Sequence, residues 1–114
     1  MEQFINFLAH EIMKADRRYQ SMCRDIESGL EGVGGVDAML RCAEEAQREK
    51  TLYKFFYEIR ARYEADVAQD DMPAFITYCL ELVQDEFNER AKVPALSEAR
   101  KMLLKELTPI LAGV

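Results

Sequence analysis

The sequence predicts an all-α domain, a four- to five-helix bundle with a long N-terminal amphipathic helix. Only five Gly and three Pro occur in 114 residues, so long stretches contain no helix breaker. Apolar residues recur at spacings of three and four, which is the period of a helix with one buried face. No stretch shows the alternation typical of a strand. A chain of this length builds one core, so residues 1–114 are expected to form a single domain.

The first helix is predicted over residues 2–28. Phe4 and Phe7 flank its apolar stripe on one side and Met13 lies on the other, so more than one neighbour is needed to cover it. Other helices of the same chain or a second chain can supply that cover. In the second case Phe4, Phe7 and Leu8 form the contact surface of a homodimer. The stripe itself consists of Ile5, Leu8, Ile12, Ala15, Tyr19, Met22 and Ile26.

Two middle helices are predicted after a glycine-rich linker at residues 29–36. The linker lacks the Gly-Lys-Ser/Thr ending of a phosphate-binding loop and follows a helix, so a plain connecting role is expected. The apolar positions of residues 37–49 and 51–69 are out of phase with each other. We therefore expect a kink or short turn between two helices, with one long helix as the alternative.

The last two helices are bounded by proline and polar caps. An aspartate before Pro73 predicts the start of a fourth helix over residues 73–92. Ser97 predicts the cap of a fifth helix over residues 97–111, in which Pro109 is expected to distort the last turn. The apolar positions expected to face the core in the four later helices are Met39, Leu40, Ala43, Ala46, Leu52, Phe55, Phe56, Ile59, Tyr63, Val67, Phe75, Ile76, Cys79, Leu80, Val83, Phe87, Met102, Leu103, Leu107, Ile110 and Leu111.

Composition disfavours several classes of function. The net charge of −6 disfavours binding to nucleic acid or to anionic membrane surfaces, and no apolar run is long enough to cross a membrane. Cys23, Cys42 and Cys79 are odd in number and scattered, which favours reduced, buried thiols over disulfides or a zinc site. The N-terminus lacks the features of a signal peptide. A cytoplasmic protein is therefore predicted.

Catalytic and cofactor chemistry finds no support in the sequence. His10 is the only histidine, and it falls on the outer side of the first helix. No nucleophile motif, metal-binding pattern or cofactor motif accompanies it. A non-enzymatic protein is therefore expected, without cofactor or metal. A ligand-binding protein or enzyme with its site in the helical core stays as an alternative.

A basic and aromatic segment is the first candidate surface outside the first helix. Tyr53, Tyr57 and Arg60 share one face of the predicted third helix, and Tyr and Arg are the residue types enriched at interface hot spots. A solvated face, internal pairing with the acidic fourth helix and binding of single-stranded nucleic acid are the alternatives. The whole segment contains Arg48, Lys50, Tyr53, Lys54, Tyr57, Arg60, Arg62 and Tyr63.

An acidic row is the second candidate. Glu81, Asp85 and Glu89 follow one another at spacings of four and therefore share a helix face. A solvated face explains such a row most simply. The alternative is an acidic decoy, whose carboxylates imitate nucleic-acid phosphates and occupy the basic cleft of a partner.

Together these patterns favour a protein–protein interaction module, an adaptor, chaperone-like or regulatory subunit that forms a homodimer through its first helix. The acidic decoy and the core ligand-binding protein are the other hypotheses. No family resemblance guides the choice among them.

Overall fold

In the computed structural model of the chain, all regular structure within the described residues is helical, as predicted. The structure describes residues 2–29, 35–88 and 94–112, with side chains over 2–25, 37–38, 40–84 and 94–112. The described part measures 55 × 30 × 21 Å. Within the described ranges, four helices make up the bundle: α1 (Glu2–Gly29), α2 (Gly35–Ala68), α3 (Met72–Asn88) and α4 (Pro94–Ala112).

Helix α2 is continuous over 34 residues, so the predicted division near residue 50 is wrong and the alternative of one long helix is correct. The phase shift between its two apolar stripes has another cause. Leu40 and Ala43 are exposed, and Leu40 retains 57% of its accessible surface. In a straight helix they point well away from Phe56 and Ile59, which are buried. The out-of-phase positions Leu40 and Ala43 therefore lie on an exposed side of one helix, whereas Ala46 of the same stripe is buried.

Helices α1 and α2 form an antiparallel hairpin, which is the framework of the bundle. Near the start of α1, Phe7 contacts Phe56 of α2. Further along α1, past its middle, Arg18 lies 3.7 Å from the carboxylate of Glu49, which is earlier in α2. Helices α3 and α4 are shorter, at 17 and 19 residues, and both pack against α2.

The turn between α2 and α3 is fixed by three aspartates. The amide of Asp71 donates to the carbonyl of Asp66 over 2.8 Å. The amide of Asp70 donates to the carbonyl of Val67 over 3.0 Å, and Asp70 has a left-handed backbone with φ of 54°. These two bonds form a Schellman motif, which closes the end of α2. The Asp71 carboxylate then accepts the Ala74 amide over 3.2 Å, which is the predicted cap of α3.

Helix α4 begins earlier than predicted and tolerates its proline. It starts at Pro94, so Ser97 lies inside the first turn and does not cap the helix. A proline in the first turn costs no hydrogen bond, which explains the earlier start. The helix continues past Pro109 to Ala112, although proline removes one backbone donor near the end. The Thr108 hydroxyl donates to the carbonyl of Leu104 over 2.8 Å in the same turn.

The core is built around a run of aromatic contacts that joins three helices. Phe4 of α1 meets Phe75 of α3 edge to face at 5.8 Å between ring centres, and Phe75 meets Tyr63 of α2 at 5.2 Å. Phe7 continues the run to Phe56, with the ring planes at 88°. Edge-to-face pairs of this kind stabilise a core beyond the burial of area alone. The fully buried aliphatic residues around the run are Leu8, Ile59, Leu103 and Leu107.

Several predicted core positions lie at the surface. Val67 is 44% exposed and Leu111 is 37% exposed, and both lie in the last turn of their helices. A helix end extends past its neighbours, so periodicity alone overstates burial there. As far as the four helices are described, none combines the length and apolar content that crossing a membrane requires.

We expect the turn between α2 and α3 to respond oppositely to two neighbouring substitutions. Asp71→Ala removes the cap and should lower the free energy of unfolding by about 1 kcal/mol. Asp70→Gly should raise it by up to about 1 kcal/mol, because glycine adopts positive φ without the steric cost of a side chain. Urea unfolding followed by circular dichroism measures both changes. Asp71→Asn is the control, since asparagine caps equally well, and equal losses for all three variants would contradict this account.

Candidate protein-interaction surface on the second helix

The structure brings Tyr53, Tyr57 and Arg60 together on the outside of α2; we call these three residues the tyrosine–arginine strip. The two rings stack with centres 5.7 Å apart and planes 17° from parallel. The Arg60 guanidinium carbon lies 5.3 Å from the centre of the Tyr57 ring, within the range of a cation–π contact. Tyr57 is 44% exposed, while the other two side chains are partly buried. Spacings of four and three on one helix place them in this order.

Helix α1 extends the strip at its lower-numbered end. Asp16 and Tyr19 of α1 line a cavity of about 250 Å³ together with Lys50 and Tyr53 of α2. A hydrogen bond with the Cys23 thiol raises the pKa of Tyr19 above its ordinary value. Tyr19 is therefore a third tyrosine beside the stacked pair. The sequence predicted it only as part of the core stripe of the first helix.

A second depression lies on the other side of α2, between α2 and the first turn of α4; we call it the α2–α4 groove. It has a volume of about 440 Å³. Phe55 and Leu96 supply its apolar surface, and Lys50 and Lys54 extend along it one turn apart. Lys50 also lines the cavity at Tyr53, so the groove and the strip meet at this residue. The remaining lining residues of the groove are Gln47, Thr51 and Glu58.

The other two arginines of the basic segment are engaged within the chain. Arg62 donates to the carboxylate of Asp66 over 2.7 Å, and this bond raises the already high pKa of the guanidinium. The same guanidinium lies 5.0 Å from the ring centre of Tyr78, which ties α2 to α3. Arg48 bonds Glu98 of α4 over 2.9 Å. The basic segment therefore divides into two arginines that are paired with carboxylates of the chain and three cations that have no such partner in the described residues, Lys50, Lys54 and Arg60.

A buried carboxylate, which the sequence did not reveal, lies beneath this face. Glu49 is only 3% exposed, and its Oε1 lies 3.3 Å from Arg48 and 3.7 Å from Arg18. Its other oxygen, Oε2, is buried without a hydrogen-bond partner in the described part of the chain. Both arginines keep about half of their side-chain surface in solvent. The cluster links α1, α2 and α4, because Arg48 also bonds Glu98.

The residues of the predicted dimer surface on the first helix lie mostly inside their own chain. Phe4 and Leu8 are 2% and 0% exposed, because they pack in the core of their own chain. Phe7 is half-buried and contacts Phe56. The side of α1 that contains Phe4 and Leu8 is thus covered within the chain, whereas Met13 on the other side is 48% exposed. Phe4 and Leu8 are not available to a partner in this conformation, and Phe7 is available only in part.

The acidic row is only partly visible. Glu81 is exposed on α3 and lines a cleft with Arg62 and Tyr78. The side chain of Asp85 and the whole of Glu89 lie outside the described residues, so their alignment stays a prediction. One interpretation of the basic segment was that it pairs with this acidic row. Arg62 instead pairs with the carboxylate of Asp66 on its own helix.

The remaining reactive groups of the chain are its possible metal ligands and its three thiols. Among the described residues, no group of three or more His, Cys, Asp or Glu side chains could hold a metal ion. His10 is exposed, as its position on α1 predicted. Cys79 is fully buried, and burial raises the pKa of its thiol to about 12. Cys23 and Cys42 are only half-buried, so the prediction of three buried thiols holds for Cys79 alone.

Replacing Glu49 should test whether its ion pairs stabilise the fold. We expect Glu49→Met to leave the free energy of unfolding unchanged or to raise it by about 1 kcal/mol. The variant buries no charge, and the half-exposed Arg18 and Arg48 can be hydrated. Urea unfolding gives the value, and Leu8→Ala, expected to lose about 3 kcal/mol, shows that the assay detects a core defect. A loss above about 2 kcal/mol for Glu49→Met contradicts the expectation.

Native alkylation should separate the three cysteines. Iodoacetamide reacts with the thiolate, so Cys23 and Cys42 should be modified in the folded protein and Cys79 only after unfolding. Mass spectrometry of digested protein locates the adducts, with urea-denatured protein as the control. Since the folded pKa is raised, the neutral thiol contributes stability below its ordinary pKa of 9.0, and that contribution is lost as the pH rises towards 12. Equal labelling of all three thiols in the folded protein contradicts this assignment.

Comparison with family models, curated proteins and solved structures gives no match to this chain. Its function has to be inferred from its own residues.

Proposed function

We propose that the chain is a non-enzymatic protein–protein interaction module that binds its partner through the tyrosine–arginine strip. One observation carries the proposal: two tyrosine rings are already stacked and capped by an arginine on the surface of a long, continuous helix. Tyrosine and arginine dominate interface hot spots because each offers a large contact area and a polar group. A strip that is ordered before binding loses less conformational entropy when the partner arrives.

A protein partner is favoured over single-stranded nucleic acid. Nucleic-acid binding needs a continuous track of available cations, and of the basic segment only Lys50, Lys54 and Arg60 have no carboxylate partner among the described residues. Arg48 and Arg62 are bonded to carboxylates of the same chain. The net charge of −6 adds repulsion between the domain and phosphates. A cytoplasmic adaptor or regulatory subunit is the role that we propose for such a module.

A second copy of the chain is one partner of this class. The homodimer expected from the sequence then has to use the strip, since the first-helix residues Phe4 and Leu8 are buried. Sedimentation at increasing concentration distinguishes self-association from binding to another protein. The acidic decoy rests on a row of which only Glu81 has a described side chain, so it stays a prediction from the sequence.

We expect Tyr57→Ala combined with Arg60→Glu to remove partner binding. Loss of two hot-spot residues should cost at least about 2 kcal/mol, or roughly thirtyfold in affinity. Affinity capture from the native host, quantified by mass spectrometry, compares this variant with the unmodified chain. A defined set of proteins should be retained by the unmodified chain and lost by the variant.

Two controls make that result specific. Arg41→Glu reverses an exposed charge on the same helix outside the strip and should retain the same proteins. Circular dichroism should show unchanged helicity in both variants. The proposal fails if the strip variant retains every captured protein, or if Arg41→Glu loses them equally.

A further inference from the structure

The α2–α4 groove combines an apolar surface with two cations. Phe55 is 9% exposed, and Leu96 is half-buried beside it at the start of α4. Lys50 and Lys54 are exposed and line the same depression. Within the described part of the chain neither lysine forms an ion pair, although the chain as a whole has an excess of acidic residues. Both ammonium groups are thus available to a carboxylate from outside.

We propose that the groove binds an acidic peptide segment of the partner protein, with an apolar side chain of the segment against Phe55 and Leu96 and carboxylates on Lys50 and Lys54. This inference rests on the proposed function, because it names the chemistry of the partner. Two lysines at a spacing of four repel each other on a bare helix. An acidic segment relieves that repulsion, whereas a basic segment increases it.

The charges around the groove also orient the segment. Glu58 lines the groove one turn beyond Lys54, so a carboxylate placed there is repelled. The acidic residues of the segment therefore lie towards Lys50. Lys50 in turn lines the cavity that contains Tyr19 and Tyr53. A segment anchored in the groove continues directly onto the tyrosine–arginine strip.

This continuity favours a peptide over a small organic acid. A small acid fills the groove and ends there, whereas an extended chain advances about 3.3 Å per residue and can cover both the groove and the strip. Single-stranded nucleic acid has phosphates for the lysines, but the groove offers it only the one ring of Phe55. An acidic, apolar peptide satisfies both the cations and the apolar surface.

The test uses fluorescence anisotropy with the full chain and a short fluorescein-labelled peptide in which aspartate alternates with leucine and phenylalanine. The unmodified chain should bind it, with an affinity that decreases as salt is added. The double variant Lys50→Glu/Lys54→Glu should bind at least about tenfold more weakly. Lys101→Glu/Lys105→Glu is the matched control, because these two lysines are exposed on α4 at the same spacing and do not line the groove. It should bind as the unmodified chain does.

Several outcomes overturn the inference. It fails if the peptide does not bind, if the control double variant weakens binding equally, or if a peptide with lysine in place of aspartate binds as well. It also fails if phenylpropionate displaces the peptide at comparable concentration, or if oligothymidylate binds more tightly than the peptide. Circular dichroism of each variant verifies that the helices are intact.

Capture from the native host separates this failure from failure of the proposed function. If the strip variant loses the partner while Lys50→Glu/Lys54→Glu retains it, the interaction module stands and the groove has no part in it. If both variants retain every captured protein, both proposals fail.

Discussion

Phe4 and Phe7 lie on adjacent sides of α1 and contact different helices, and the arrangement of the bundle depends on this division. Phe7 meets Phe56 of α2, while Phe4 meets Phe75 of α3. An apolar face this wide cannot be covered by one neighbour, so α3 has to fold back against the α1–α2 hairpin. Since α2 turns its apolar side towards these contacts, Tyr57 is left facing solvent.

The continuity of α2 determines how its outward features relate to one another. One rigid helix contains the buried Glu49, the strip and the bond from Arg62 to Asp66. A break near residue 50 would detach Gln47 and Lys50 from the rest of the groove and from Tyr53. In the continuous helix, Lys50 stays at a fixed position between the groove and the Tyr53 ring. Preorganisation of both surfaces therefore follows from the absence of a helix breaker in this stretch.

Features that depend on neighbouring residues could be predicted from the sequence, whereas those that depend on distant partners could not. The cap at Asp71 and the grouping of Tyr53, Tyr57 and Arg60 follow from local spacing. The phase shift in α2 was misinterpreted because periodicity does not distinguish a new helix from an exposed apolar residue such as Leu40. Burial of Phe4 depends on Phe75, which is 71 positions away along the chain.

The partners of the charged residues decide which surface is available, and one of these partners is distant. Arg48 and Arg62 looked equivalent to Arg60 in the sequence, yet Glu98 of α4 engages Arg48, and Asp66, one turn further along α2, engages Arg62. Their positive charge is neutralised locally, so it contributes little to the field that an approaching molecule meets. What extends outward is a short basic and aromatic face on a protein that is otherwise acidic. Such a contrast steers a partner with acidic groups towards α2 and repels it from the rest of the surface.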